Sequence, residues 1–130
     1  MTYCVGMMLD RGLVLMSDTR TNSGVDNIST FRKMFRWSVP GERMIAVLTA
    51  GNLATTQAVI SPLEERNKAP SDRHNSLLDA PSMFQVARTV GKLLRDTITG
   101  TTNNGLEASG KFGASIIVAG QIKGMEPRLF

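Results

Sequence analysis

The chain has 130 residues, 42 % of them apolar, and a net charge of +4 at pH 7, which is enough for a globular fold with a real core. No apolar run reaches the roughly 18 residues that a membrane helix needs, so no membrane role is expected. Basic residues are interleaved with acids, as in Glu64-Glu65-Arg66-Asn67-Lys68, which argues against the grouped basic face of a nucleic-acid binder.

In chain order, Tyr3 to Leu9 is rich in Val, Met and Tyr and predicts a strand. Asp10-Arg11-Gly12 is a turn, and Leu13 to Met16 is an almost continuous apolar run. Such a run predicts a strand covered on both faces, so the hairpin is expected to be central in its sheet. Residues 19–30 are polar and read as a loop that leaves the hairpin and returns. Lys33 to Val39 and Arg43 to Thr49 read as strands around the turn at Pro40-Gly41-Glu42. From Gly51-Asn52, apolar and small residues at 53, 56, 59, 60 and 63 recur at helical spacing, with Pro62 expected to kink or end the helix near Ser61. Residues 67–80 read as a loop.

Ser82-Met83-Phe84-Gln85 fits a capping box, and Met83, Val86, Val90, Leu94 and Ile98 form one face of a second helix with its stop at Gly100. After a polar loop, Phe112 to Gln121 predicts a strand, Lys123-Gly124 a turn, and Arg128 to Phe130 the start of another strand. Four strands, two helices and further strands make an α+β fold with helices on one face of an antiparallel sheet.

The N-terminus lacks a basic region and a long apolar core, so no signal peptide is expected. One cysteine excludes an internal disulfide and suits a cytoplasmic protein. Cys4 alternates with Tyr3 and Val5 and reads as a small buried apolar residue. His74 is the only histidine, so no His-rich metal site is expected.

Chemistry is concentrated at the N-terminus. Thr2 is small and follows Met1, the context in which an initiator Met is commonly trimmed. Without Met1, one residue carries a hydroxyl and an α-amine of pKa near ~8, so the amine can take the proton of its own hydroxyl. Read alone, Thr2 is far more often an ordinary strand residue. Asp18 ends a buried-looking strand and needs a partner there, or else serves as a turn residue. Lys33 opens a strand that can lie beside the first, and it is either that partner or a surface lysine in Arg32-Lys33. Gly51 ends the fourth strand and begins a helix, where a backbone N–H suits an oxyanion, or it only permits a tight strand-to-helix turn.

Met-Thr-Tyr-Cys-Val at the start, Ser17-Asp18-Thr19-Arg20, the stretch from Gly24 to Met34 containing Phe31-Arg32-Lys33-Met34, and Thr49-Ala50-Gly51 before a helix form an ordered set. That order and spacing resembles the proteasome-type N-terminal nucleophile peptidases, and among them the bacterial ancestral-type β-subunit (Anbu) proteins. The resemblance implies a four-layer αββα sandwich and a threonine peptidase with no metal or cofactor. It implies Thr2 as nucleophile, Lys33 as the catalytic lysine, Asp18 holding it, and Gly51 N–H at the oxyanion. Thr21 and Asn22 fall where the family pairs its backbone with a peptide or unfolded-protein substrate, Asn22 at a position where Thr is usual. Rings or helical assemblies of like subunits are expected. The resemblance covers residues 1–130 as one proteasome-like domain lacking its C-terminal part, including a Ser and an Asp/Ser pair of the family's site. Strong activity of this stretch alone is therefore not expected, and a non-catalytic assembly subunit is the alternative.

Overall fold

The computed structural model describes residues 1–22, 28–68, 76–102 and 112–130. Strands β1 (Cys4–Leu9) and β2 (Gly12–Ser17) form the expected hairpin, with Cys4 opposite Ser17 and Leu9 opposite Gly12. The hairpin is not central in a larger sheet: β1 and β2 make a two-stranded sheet of their own. Side chains alternate between its faces. One face meets a second sheet so closely that a Cβ added at Gly6 would lie 2.8 Å from Leu129 Cδ1 and 3.5 Å from Ile117 Cγ2. The opposite face carries Met7, Leu9, Val14 and Met16, all exposed. The apolar run that predicts two covered faces therefore finds only one of them covered among the described residues.

Residues 20–30, read as loop, contain a short antiparallel ribbon of β3 (Arg20–Asn22) and β4 (Ile28–Thr30), with Arg20 opposite Thr30. Three-residue polar strands have no apolar alternation for a sequence reading to detect. The main sheet runs β5 (Met34–Val39), β6 (Arg43–Gly51), β7 (Ala114–Ile122) and β8 (Arg128–Leu129), antiparallel throughout. Strand β6 is interior to it, and consecutive residues Ile45 to Thr49 are all buried.

Helices α1 (Leu53–Lys68) and α2 (Met83–Thr102) pack on one face of this sheet. Their shared core is built from Ile45 and Val47 of β6, Val118 and Ile122 of β7, Val59, Ile60 and Leu63 of α1, and Met83, Val86 and Val90 of α2. Helix α1 does not end at Pro62. An interior proline costs about 3 kcal/mol. Val59 and Ile60 before it and Leu63 after it are all buried, each contributing about 1.5–3 kcal/mol, so packing overrides the local break. Helix α2 likewise runs past Gly100 to Thr102, since an exposed helical glycine costs only about 1 kcal/mol.

The cap of α2 is as predicted: Gln85 N–H donates to Ser82 Oγ at 3.3 Å. Ser82→Ala is expected to lower stability by about 1 kcal/mol, seen as a lower urea midpoint at unchanged m-value. No helix among the described residues is long and apolar enough to cross a membrane.

Candidate active site

The hairpin ladder extends one pair past β1 and β2. Asp18 N–H donates to Tyr3 O at 3.0 Å, and Tyr3 N–H donates to Asp18 Oδ1 at 2.9 Å. Thr2 therefore stands just beyond the open end of the hairpin, and Asp18 is pinned beside it. Arg20 N–H adds a third bond, to Asp18 Oδ2 at 3.3 Å.

Lys33 comes to this carboxylate from the other sheet. Its strand does not lie beside β1, as its position in the sequence suggests; β5 pairs with β6. Thr49 N–H donates to Lys33 O at 2.9 Å, which anchors the lysine backbone at the end of the main sheet. From there the side chain crosses between layers, and the residue is only 3 % exposed. Its Nζ lies 2.9 Å and 2.8 Å from the two Asp18 oxygens, 2.6 Å from Arg20 O and 3.3 Å from Met1 O. Neighbouring Arg32 has a different fate, exposed with its guanidinium stacked 5.1 Å over the Phe35 ring. The lysine reads as partner rather than surface residue for this reason.

The Lys33 hydrogen bond, then the Tyr3 N–H, hold the Asp18 carboxyl at a pKa of about 2, against an ordinary value of 3.8. The carboxyl stays charged in the fold where an unfolded chain would already bind a proton. Stability from this group is thus complete above about pH 4 and declines as pH falls toward 2. We expect a 13C titration of the Asp18 carboxyl with a midpoint near 2, and Asp18→Asn to flatten the acid limb of a stability–pH curve over that window.

Gly51 ends β6, and α1 begins two residues later at Leu53, capped by Asn52, whose Oδ1 accepts Thr55 N–H at 3.0 Å. Gly51 has φ +104°, and a Cβ there would lie 2.5 Å from Gly113 O, so the position is closed to other residues by conformation and by contact. Thr2, Lys33 and Gly51 line one small cleft of about 30 Å³, with Thr21, Phe31, Thr49, Leu53 and Thr56. Phe31, Thr49, Leu53 and Thr56 are members that the sequence reading missed. Leu53 is expected on the buried face of α1 and is instead exposed at the cleft mouth.

Thr21 reaches the cleft from β3, and its hydroxyl pairs with Ser29 Oγ at 3.0 Å. Asn22 follows it in β3, and among the described strands β3 pairs only with β4, leaving its other edge open.

Two larger grooves, of about 380 and 520 Å³, lie at Phe84, Met125 and Arg128 and at the Pro40 turn. Neither unites a nucleophile with a buried lysine, so chemistry rather than size selects the cleft. Cys4 is half-buried with Sγ 3.7 Å from Thr49 O. Burial first, then the Asp18 charge, raise its pKa, so it stays a thiol, in keeping with a packing role. Among the described residues no three His, Cys, Asp or Glu side chains are placed to hold a metal; His74 lies outside them.

No protein-family model and no curated protein sequence matches the chain. Solved structures do. It is similar to Anbu (ancestral beta-subunit) from Yersinia bercovieri, at 41 % identity over 100 % of this chain and 51 % of that one, with a TM-score of 0.84. The chain of the helical assembly of the Anbu complex from Pseudomonas aeruginosa matches at 42 % identity over 99 % and 52 %, TM-score 0.85. The Gly-1 mutant of Anbu from Hyphomicrobium sp. strain MC1 matches at 43 % over 99 % and 51 %, TM-score 0.83. The chain thus spans about half the length of these relatives. Along effectively its whole length the chain shares the fold of Anbu (ancestral beta-subunit) chains at 41–43 % identity.

Proposed function

We propose that the chain carries the nucleophile half of a proteasome-like threonine peptidase, acting on peptides or unfolded proteins in the cytoplasm. The observation that carries this reading is the buried Lys33, held 2.8 Å from Asp18, in one cleft with Thr2 and Gly51. With Met1 removed, Thr2 Oγ attacks a peptide carbonyl and its proton passes to the Thr2 amine. Gly51 N–H stabilises the oxyanion, the amine protonates the leaving nitrogen, and water hydrolyses the acyl-enzyme. Lys33 orients the hydroxyl, and Asp18 keeps Lys33 charged. The open edge of β3 at Thr21 and Asn22 suits an extended peptide added as a further strand. No metal or cofactor enters these steps.

The exposed apolar face of the hairpin supports a completed αββα sandwich, in which residues 1–130 form one part of a single domain. The helical assembly of the Pseudomonas relative favours a second role, self-association of like subunits in a ring or helix, which does not require catalysis.

The test is an intact mass before and after a threonine-directed electrophilic peptide inhibitor. Loss of Met1 and a single adduct on Thr2 sustain the peptidase. A chain lacking Met1 that takes no adduct would leave a non-catalytic subunit or an inactive fragment as the reading.

A further inference from the structure

We infer that Cys4 is a positioning residue: its thiol, bonded to Thr49 O, sets the spacing between the layer that carries Thr2 and the layer that carries Lys33 and Gly51. The inference rests on Thr2 being the nucleophile. Residues 2, 4 and 6 alternate onto one face of the β1 strand, the face turned to the main sheet. Each meets a different part of that sheet. At Gly6 the layers close until an added Cβ would lie 2.8 Å from Leu129 Cδ1 of β8. At Cys4 the Sγ lies 3.7 Å from Thr49 O of β6. At Thr2 the chain reaches the cleft that Lys33, Thr49 and Gly51 line.

The Tyr3–Asp18 bonds fix Thr2 along the hairpin, but they lie within one layer. The distance to the other layer is a separate coordinate. Lys33 spans it at the Asp18 end, on a flexible four-carbon stem whose ammonium can follow the carboxylate as the layers shift. Cys4 spans it two residues from Thr2, with a single rotatable bond, so its reach is fixed. Its acceptor is fixed as well: Thr49 is buried, and its N–H donates to Lys33 O at 2.9 Å. Two residues further on, Gly51 is packed so closely that a Cβ would lie 2.5 Å from Gly113 O. One contact thus ties the nucleophile's strand to the strand that ends at the proposed oxyanion N–H. Burial and the Asp18 charge keep the sulfur protonated, so an S–H is present to donate. A hydroxyl bonds at about 2.7–2.8 Å, so Cys4→Ser leaves Thr49 O unreached or draws the layers together. Cys4→Ala leaves a gap. Both move Thr2 against Gly51. A misplacement of about 1 Å costs about 10²-fold in rate, and packed layers relax by less than that, so a loss of about tenfold is expected.

The experiment compares the unsubstituted 130-residue chain, Cys4→Ala and Cys4→Ser, all lacking Met1 and labelled with 13C-methyl threonine and 15N-glycine. One readout is the NOE between the Thr2 methyl and Gly51 N–H, assigned by its loss in Thr2→Ser. The other is the labelling of Thr2 by the electrophilic peptide inhibitor, as maximal rate and half-saturating concentration. Both variants should change the NOE and lower the maximal rate about tenfold. The half-saturating concentration should hold, because the β3 edge is untouched. The Asp18 carboxyl should keep its midpoint near 2, which shows that the Lys33 ion pair is intact. Cys4→Ser stays close to cysteine in size and carries the test if Cys4→Ala unfolds. An unchanged NOE overturns the inference, and an adduct on Thr2 in that case leaves the peptidase reading standing. A changed NOE with full-rate labelling also overturns it, as does an Asp18 midpoint that moves toward 3.8, which assigns the loss to the ion pair. If the NOE responds but the unsubstituted chain takes no electrophile, the spacing role stands and the peptidase reading fails.

Discussion

Thr2→Ala, in a full-length form spanning the length of the Anbu chains, is expected to abolish peptide turnover, with a loss of several orders of magnitude, and all covalent labelling by the electrophilic inhibitor. The loss is this large because one residue supplies two of the reacting groups. In the proposed mechanism the hydroxyl is the attacking atom, and the amine would be placed to move its proton only through the same Cα. Groups that act as a unit are lost as a unit, so the remaining cleft retains only binding and oxyanion stabilisation. Thr2→Ser keeps both groups and should keep most labelling. Assembly should be unchanged in both variants, because Thr2 is half-buried in the cleft and contributes to no core cluster. Turnover that persists in Thr2→Ala would sink the mechanism, whatever the oligomer does.

Lys33→Ala should lower turnover by about 10²–10⁴-fold, the range of a positioned group that orients or transfers a proton. Lys33 makes no bond to substrate in this reading, so the loss should fall on kcat rather than KM. The fold should survive. The carboxylate left behind still accepts N–H groups from Tyr3 and Arg20, and its side chain is 31 % exposed, so it is not stranded in a dry interior. The variant also has a signature that reports the ion pair itself, independently of catalysis. Because Lys33 is the largest cause of the depressed Asp18 pKa, the Asp18 titration midpoint should rise from about 2 toward 3.8. An unchanged kcat together with that rise would assign Lys33 to stability alone. Lys33→Arg is not a conservative rescue, since a planar fork must replace a compact ammonium at a site only 3 % exposed.

The hairpin, the long strand β6, the capped helix α2 and the strand β7 are legible in the sequence, because their signals are local. Apolar runs, helical spacing and a Ser82 cap each act within a few residues. The residue types of the site are legible too: a Thr behind the initiator Met, an Asp closing a strand, a Lys opening one and a Gly ahead of a helix. Whether those residues meet is not legible. Lys33 and Asp18 are brought to 2.8 Å by two different sheets facing each other, and no spacing along the chain encodes that distance. The β3–β4 ribbon is too short and polar to announce itself, and α1 passes Pro62 because its buried side chains on either side outweigh one missing hydrogen bond. Local propensity thus determined which segments could be strand or helix and which residues could do chemistry. Only the packing of the hairpin against the main sheet decided which of them share a cleft, because burial and hydrogen bonding are settled between layers rather than along the chain.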